Sequence, residues 1–365
     1  MTEPESLWNQ LVFPENLSLA YRRARKGKTR RPDIAQFSLN VERELIDLCA
    51  ELQSGVYRPQ GYRQFFVHDR KPRLISAAPF RDRVVHHALM QVTEPLFESC
   101  FSENSWACRR GKGTHGAVKQ YQRWSKRHAY VLKMDIQSYF HRIDRSRLLA
   151  KIENLIGEEK IIRLFQWIID SQFSPIGRGL PIGNLTSQIL SNLYLNDFDH
   201  FVTDRLGYSC YLRYVDDMAI LSDDKPALWR SLCDVEDYLA EEGLNLHPQK
   251  VLLTPTRCGL DFLGYRVYPR MLRLRSGNGH RFRRSLKRKA KAYQRGDLDW
   301  NRLNAGVRAW IGHAAHGATR GLRKALFSEI LIRAGMPEQA VDSGRFVEQQ
   351  TDQPPFRQPE QESGG

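Results

Sequence analysis

The sequence predicts an α+β fold in which short antiparallel strands are combined with amphipathic helices. The first observation is a hairpin over residues 210–221, where aromatic and β-branched residues flank Asp216 and Asp217. The second is a strand that begins at Tyr130 and ends at another acid, Asp135. The third is a set of segments whose apolar residues recur at helical spacing, namely 84–97, 184–198 and 228–239.

Charge is the main compositional signal. The 365 residues include 56 Lys and Arg against 41 acids, a net charge of +15, and 41% hydrophobic residues, the content of an ordinary globular core. Such an imbalance suits a polyanionic partner, although a basic surface kept for solubility is the simpler alternative. The pI of about 9.6 agrees with both interpretations.

The cysteines and the hydropathy pattern bear on location. Six cysteines are scattered without paired spacing, which disfavours a zinc site or a disulfide framework and fits reduced thiols in a cytoplasm. No signal segment and no apolar run long enough to span a membrane is present. We therefore expect a cytoplasmic protein that does not bind a membrane.

The N-terminal part of the chain begins with a basic segment. We interpret residues 21–31 as an arm that contacts phosphates, with a solvated basic face as the alternative. A helix is predicted from Asn40 to a stop signal at Gly55, and alternation over 57–75 predicts a hairpin. Next come a helix over 84–97, a basic glycine-rich loop at 109–115 and a helix over 118–124.

The middle of the chain contains two acidic features that we assign to helix starts. Asp144 and the pair Asp223 and Asp224 each precede a helical segment in the manner of an N-cap, so we interpret them as structural. The helices and loops predicted around them cover 152–169, 174–183, 184–198 and 228–243. Strands at 244–253 and 261–267, a basic helical region at 273–335 and a disordered tail follow.

The chemistry of the site follows from the three acids at strand ends. Asp135, Asp216 and Asp217 are predicted to form one carboxylate cluster across adjacent strands. Crowded carboxylates repel one another and are stable mainly with cations bound. Two divalent ions about 3.5 to 4 Å apart would fit, as used for in-line phosphoryl transfer, which predicts a nucleotidyl transferase.

With these motifs in order, the chain resembles reverse transcriptases over nearly all of residues 20–335. The fingers motifs of that family are similar to Lys71-Pro-Arg-Leu-Ile-Ser and Pro79-Phe-Arg-Asp-Arg-Val-Val. Residues 94–98 and 109–115 resemble the stretch that follows those motifs. Lys133-Met-Asp-Ile-Gln-Ser-Tyr-Phe140 resembles motif A of that family, and Tyr214-Val-Asp-Asp217 resembles motif C. Residues 243–250 resemble motif D, and Phe262-Leu-Gly-Tyr-Arg resembles motif E. The resemblance implies a right-hand polymerase with fingers, a palm built on an antiparallel sheet, and a helical thumb.

The resemblance also implies roles for individual residues. Asp135, Asp216 and Asp217 would hold two Mg²⁺ ions, with Mn²⁺ as a possible substitute and the Ile136 carbonyl assisting. The residues implied in nucleotide binding are Lys71, Arg73, Phe140, Ile182, Gly183 and Lys250. Those implied in template or primer binding are Gln188, Tyr214, Gly264, Arg284, Lys287 and Lys291. Phe140 would exclude the 2′-hydroxyl of a ribonucleotide by bulk, with a core aromatic as the alternative.

Motif B refines the resemblance. Where most reverse transcriptases carry Gln-Gly, this chain reads Leu180-Pro-Ile-Gly-Asn-Leu-Thr-Ser-Gln188, which resembles the enzymes of bacterial and phage diversity-generating retroelements. That family implies an RNA template, a DNA or RNA primer, dNTPs, errors at template adenines during mutagenic retrohoming, and a small accessory variability protein oligomer. The absence of a maturase or endonuclease extension after the thumb disfavours a group II intron enzyme. A reverse transcriptase of an antiphage defence system and a non-catalytic RNA-binding relative stay open.

The predicted domains follow the motifs. We expect an N-terminal basic arm with fingers over 1–130 and a palm over 131–272, with a fingers insertion at about 150–185. A helical thumb would cover 273–337, and a disordered tail 338–365.

Overall fold

A computed structural model describes residues 6–68, 72–171 and 177–330. The described residues form two compact units. The first contains the described residues up to Asn278 together with Ala314–Thr319, and the second contains Gly279–His313 and residues 320–330. The tail predicted from residue 338 lies outside the described residues. In the described ranges, no helix has the length and apolar character that crossing a membrane requires.

The first unit opens with helices α1 (Leu7–Val12), α2 (Pro14–Arg25), α3 (Pro32–Leu39) and α4 (Val41–Gln53). The basic segment at 21–31 is helical in its first part, since residues 21–25 form the end of α2, and its contact with phosphates stays a prediction. Tyr21 and Ala24 are buried there, and Tyr21 stacks on Phe37 with ring centroids 5.7 Å apart. The sequence interpretation missed this packing because the cationic residues of the segment mask its buried stripe.

The next part of the chain contains β1 (Arg63–His68), β2 (Pro72–Ala77), α5 (Phe80–Cys100), α6 (Thr114–Ser125) and β3 (Tyr130–Asp135). Strands β1 and β2 pair in antiparallel register, with Val67 opposite Arg73, which confirms the predicted hairpin. Lys71 belongs to its turn and lies outside the described residues.

The segment after β3 is divided into more helices than the spacing of its apolar residues predicts. They are α7 (Tyr139–Arg142), α8 (Arg145–Leu155), α9 (Glu159–Asp170), α10 (Leu185–Tyr194) and α11 (Asn196–His200). The single helix predicted over 152–169 is wrong, because Ile156 is extended with φ −123° and ψ 99°. Asp144 caps α8 by accepting a hydrogen bond from the Arg147 amide, which confirms its structural assignment.

The hairpin predicted over residues 210–221 is present. It comprises β4 (Tyr211–Tyr214) and β5 (Asp217–Ser222), followed by α12 (Lys225–Glu241) and β6 (Leu252–Pro255). Asp224 caps α12 through the Ala227 amide, as predicted. Residues 244–251 are not the strand we expected; they form a loop in which the His247 amide donates to the Asp135 carbonyl at 2.7 Å.

The central sheet has the strand order β4-β5-β3-β6, and all of its strands are antiparallel. Alternation gives it two faces. One face packs Leu132, Met134 and Ile220 into the main core, and we call it the helix face. The other packs Val131 and Ala219 against α6 and a second sheet, and we call it the cavity face.

The second sheet consists of β7 (Leu260–Phe262), β8 (Tyr265–Val267) and β9 (Leu272–Leu274) in that order. Its tight turn places Leu263 and Gly264 at φ 46° and 91°. The six cysteines of the chain carry free thiols.

The second unit is helical and basic, as predicted, but the helices begin at Asn278 rather than at 273, because residues 272–274 form β9. Its helices are α13 (Asn278–Gln294), α14 (Trp300–Ala315) and α15 (Arg320–Glu329), of which α14 ends in the residues assigned to the first unit. Phe282 of α13 stacks on Trp310 of α14 with ring centroids 3.9 Å apart. Leu286 and Leu303 are buried in the same small core.

Candidate active site

Three carboxylates come together where β3 and β5 end. Asp135 and Asp217 are direct partners in the β3–β5 register, and Asp216 precedes Asp217 in the turn. Directly opposed residues of an antiparallel pair project to the same face. The Ile136 amide also donates to the Asp216 carbonyl at 3.2 Å, which ties the turn to the end of β3.

Burial and repulsion act together on this cluster. Asp135 is only 6% exposed, and both other carboxylates are partly buried. Burial, followed by the charges of Asp135 and Asp217, raises the pKa of Asp216 from 3.8 to about 6. A raised carboxyl pKa means that the charged form is penalised in the folded protein, which is the electrostatic situation that a bound cation relieves.

Two lysines lie against the carboxylates. Lys250 donates from Nζ to Asp135 Oδ1 at 2.5 Å. Lys133 Nζ lies 3.2 Å from Asp217 Oδ1 and donates to the Asp261 carbonyl at 3.2 Å. The Lys133–Asp217 contact is close enough for an ion pair, but its geometry is not that of a hydrogen bond. Asp217 Oδ1 is therefore buried without a hydrogen-bond partner.

The cluster opens into a cavity of about 670 Å³ between the cavity face and the β7–β9 sheet. Its acidic lining residues are Asp135, Asp216, Asp217 and Asp261. Its basic lining residues are Arg73, Lys133, Lys250, Arg266 and Arg275. A space with carboxylates at one side and cations around them suits a ligand that combines divalent ions with phosphate groups.

The residues present fit divalent ions. Within the described ranges, no three Asp, Glu, His or Cys side chains converge closely enough to hold an ion as they stand. Lysine ammonium groups lie against Asp135 and Asp217 in this arrangement. The partnerless Asp217 oxygen and the raised pKa of Asp216 indicate oxygen donors that are available to a cation.

The predicted nucleotide-binding residues divide into two groups. Arg73 and Lys250 line the cavity, whereas Phe140, Ile182 and Gly183 do not. Phe140 is half-buried, packs against the main core, and accepts a hydrogen bond at its carbonyl from the Leu180 amide at 2.8 Å. Its contacts therefore fit the alternative of a core aromatic.

The motif B loop is joined to β2, the strand that carries Arg73. The Ile182 carbonyl accepts from the Ser76 amide at 3.0 Å. The buried Asn184 side chain donates to the Ser76 carbonyl at 3.0 Å and accepts from the Ala78 amide at 3.3 Å. Gly183 has φ +116°, and a Cβ there would lie 2.8 Å from an Ile75 methyl carbon, so the position requires glycine.

The predicted template and primer residues are spread over both units. In the first unit Gln188 is exposed, Tyr214 hydrogen-bonds through its hydroxyl to Thr114 at 2.9 Å, and Gly264 forms the β7–β8 turn. In the second unit Arg284 and Lys291 are exposed, and Lys287 pairs with Glu329 at 2.8 Å.

Sequence reasoning missed three residues that contact the site. Lys133 was quoted only as part of a motif, Arg213 only as part of a strand, and Asn184 only as the start of a helix. A charged residue at alternate positions of a buried strand is a usable signal for the first two, because it must find a partner when the strand is buried.

Comparisons with known proteins agree with this chemistry. A family described as "Reverse transcriptase (RNA-dependent DNA polymerase)" matches residues 67–267. "Protein YkfC" of Escherichia coli (strain K12) is 28% identical over 175 residues, covering 44% of this chain and 46% of that protein. "Group II intron-encoded protein LtrA" of Lactococcus lactis subsp. cremoris is 24% identical over 208 residues, covering 54% of this chain and 35% of that protein. The chain thus spans less than half the length of either relative.

Solved structures show a more distant likeness. Apo telomerase from Candida tropicalis, truncated from its C-terminal domain, gives a TM-score of 0.47 at 13% identity, covering 59% of this chain and 55% of that one. A partial Cas6-RT-Cas1–Cas2 complex gives a TM-score of 0.40 at 21% identity, covering 65% of this chain and 43% of that one.

Proposed function

The chain belongs to the reverse transcriptase family, and we propose that it is an RNA-directed DNA polymerase that copies an RNA template into DNA. Its helices and antiparallel sheets are those of the α+β right-hand polymerase class. The observation that carries the proposal is the register pairing of Asp135 with Asp217, which puts two carboxylates beside Asp216 at one cavity. LtrA supports a relationship to group II intron-encoded proteins, which the sequence interpretation disfavoured.

Divalent ions would be held by Asp135, Asp216 and Asp217, with the Ile136 carbonyl assisting. We propose two Mg²⁺ ions, replaceable by Mn²⁺, which when bound stabilise the attacking and leaving oxygens of phosphoryl transfer. The protein's own cations then act on the substrate. Arg73 and Lys250 line the cavity and would bind the triphosphate of a dNTP, which requires Lys250 to exchange its carboxylate partner for phosphate.

Primer extension by the full chain tests this function. An RNA template with an annealed DNA primer, the four dNTPs and MgCl₂ should give full-length DNA, and EDTA should prevent its formation. A matched reaction with Asp135→Asn should give no product, because this substitution removes one negative charge from the ion-binding cluster. Failure of the parent protein to extend the primer with either Mg²⁺ or Mn²⁺ would contradict the proposal. If that protein still bound RNA, the non-catalytic alternative would be favoured.

The other predicted binding residues extend the proposal to the template and primer. Gln188, Tyr214 and Gly264 would contact them from the first unit. Arg284, Lys287 and Lys291 would contact phosphates from the second. Each lost phosphate contact should lower the slope of log affinity against log salt by roughly 0.7 to 0.9.

A finer proposal concerns accuracy. The Ile182-Gly183 form of motif B favours an enzyme of a diversity-generating retroelement that works with an accessory variability protein and makes errors at template adenines. The loop's hydrogen bonds to β2 support a role for position 182 near the incoming nucleotide, since β2 carries Arg73. A Gln at 182 offers hydrogen bonds around a nascent base pair, whereas Ile offers only dispersion. An antiphage defence enzyme remains the second candidate.

Substitution of Ile182 by Gln tests the accuracy proposal. Misincorporation opposite template adenine should fall by about one order of magnitude, because about 1.4 kcal/mol of restored positioning corresponds to tenfold in selectivity. Deep sequencing of DNA made from a defined RNA measures this, with Ile182→Leu as the matched control that preserves bulk. An unchanged error rate at adenine in an active Ile182→Gln enzyme, or an already accurate parent enzyme, would reject it.

A further inference from the structure

A fully buried ion pair lies behind the catalytic turn, on the helix face of the central sheet. Arg213 of β4 and Asp199 of α11 are both 0% exposed. The guanidinium donates from Nε to Asp199 Oδ1 at 2.7 Å and from Nη2 to Oδ2 at 2.5 Å. The Tyr211 hydroxyl donates to the same Oδ1 at 2.7 Å. The pair is therefore bidentate and shielded from water.

The remaining guanidinium donors connect this pair to α10 and to the turn. Nη1 donates to Asn192 Oδ1 at 3.2 Å and to the Val215 carbonyl at 3.3 Å. Nη2 donates to the Asn192 carbonyl at 3.3 Å. All five N–H groups of Arg213 therefore have an acceptor, and a lysine in its place, with three donors, cannot reproduce the set.

The turn that receives this hydrogen bond has an unfavourable backbone conformation. Val215 has φ +59°, in the left-handed region that β-branched residues rarely adopt. The carbonyl of Val215 is held by Arg213 from the helix face. The next carbonyl, that of Asp216, accepts from the Ile136 amide at 3.2 Å. The peptide group that precedes Asp216 is thus held by the Arg213 side chain, and the peptide group that follows Asp216 is held by the end of β3.

We infer that Arg213 is a positioning residue for Asp216. By holding the Val215 carbonyl, the buried pair sets the direction in which Asp216 presents its carboxylate, and thereby the affinity of the cluster for divalent cations. The inference rests on the proposed function only in taking Asp216 as an ion ligand. A purely structural ion pair would contribute to stability and leave cation affinity unchanged.

The test compares Arg213→Lys with a control that loses a buried polar contact elsewhere. Asp82→Asn is the control, since Asp82 is 1% exposed and accepts hydrogen bonds from the Tyr57 hydroxyl and the Gln60 amide. Neither of these partners belongs to the β4–β5 hairpin. Two quantities are measured on the full chain: the MgCl₂ concentration for half-maximal primer extension, and the rise in Tm on adding MgCl₂ without nucleic acid.

For Arg213→Lys we expect the half-maximal MgCl₂ concentration to rise about fivefold or more and the Mg²⁺-dependent rise in Tm to shrink, because cation affinity has fallen. Excess MgCl₂ should recover much of the rate. Asp82→Asn should lower Tm while both Mg²⁺ responses stay as in the parent protein. If Arg213→Lys lowers Tm but its half-maximal MgCl₂ concentration stays within about twofold of the parent value, the inference is wrong.

A second variant covers the case in which Arg213→Lys does not fold. Asp199→Leu/Tyr211→Phe/Arg213→Met removes both charges and the hydroxyl together, so that no buried charge is left unpaired. The same weakening of the Mg²⁺ responses in this folded protein supports positioning, and parent-like responses overturn it. A parent protein that makes no DNA on RNA would contradict the proposed function alone, since the Tm response to MgCl₂ still tests Arg213.

Discussion

On the helix face of the central sheet a carboxylate is buried against a guanidinium, whereas on the cavity face three carboxylates are crowded together with lysines beside them. Asp199 accepts three hydrogen bonds, from Arg213 and Tyr211. Burial alone would lower the pKa of Arg213, but the attraction of Asp199 raises it, so the guanidinium stays charged. On the other face, burial and like charges raise the pKa of Asp216 to about 6.

The difference separates two uses of buried charge. The pair on the helix face is internally satisfied and can do no chemistry, because no atom of Asp199 or Arg213 reaches solvent. The cluster on the cavity face is left short of positive charge and is open to a cavity, which costs stability and makes it receptive to ions. Four predictions test this contrast, from the largest expected effect to the smallest.

Loss of one carboxylate on the cavity face should have the largest effect on activity. Asp216→Ala should lower primer extension by about three orders of magnitude or more, because metal-bound carboxylates supply several kcal/mol of transition-state stabilisation. Single-turnover primer extension measures the loss. Asp224→Asn, in the chain's other Asp-Asp pair, is the matched control and should leave the rate unchanged, since Asn also caps a helix. Equal activities of the two variants would remove Asp216 from the site.

Loss of the carboxylate on the helix face should have the largest effect on stability. Asp199→Asn should lower the free energy of unfolding by about 3 to 5 kcal/mol, because it leaves the Arg213 charge buried and unpaired. Urea unfolding measures this. Asp82→Asn, whose acceptor contacts are to neutral donors, should cost less, about 1 to 3 kcal/mol. Similar losses in both variants would show that the guanidinium is not the deciding partner.

The pH dependence of stability should also distinguish the two faces. The folded-state pKa of Asp216, about 6, lies above the ordinary value of 3.8, so the folded protein holds this proton more tightly than the unfolded chain. The contribution of protonated Asp216 to the free energy of unfolding is therefore fully present below about pH 4 and is lost as the pH rises to about 6. Two pKa units correspond to about 3 kcal/mol as an upper bound.

Asp216→Asn should remove this dependence. In EDTA, its free energy of unfolding should exceed that of the parent protein by up to about 3 kcal/mol at pH 7 and by little at pH 4. Chemical unfolding at several pH values measures the difference, and saturating MgCl₂ should stabilise the parent more than the variant. A variant less stable than the parent at pH 7 in EDTA would mean that the cluster is not under repulsion.

Removal of a lysine from the cavity face should have the smallest effect. Lys133→Met should lower the free energy of unfolding in EDTA by about 1 kcal/mol, because the ammonium that offsets the Asp217 charge is lost. The loss should shrink in MgCl₂, since bound ions take over that role. Lys119→Met, an exposed lysine of α6, controls for the loss of one charge. A Lys133 effect that does not depend on MgCl₂ would assign this residue to the Asp261 carbonyl alone.

Local signals in the sequence were sufficient for much of the fold and for the acids of the site. Two kinds of feature depend on residues within a few positions of each other: the hairpin around Asp216 and Asp217, and the helix caps at Asp144 and Asp224. Both can therefore be predicted from the local sequence. The strand that ends at Asp135 can be predicted from the local sequence for the same reason.

Tertiary structure alone decided which partners these residues have. Arg213 falls inside the hairpin predicted over 210–221, but its acceptors lie in α10, α11 and the turn, and only packing brings them together. Alternation puts Lys133 on the face of Asp135, yet its contacts with Asp217 and the Asp261 carbonyl depend on β5 and β7. The break between α8 and α9 and the packing of the basic segment at 21–31 were likewise missed. In each case the deciding free energy comes from burial against distant segments, which short-range periodicity does not encode.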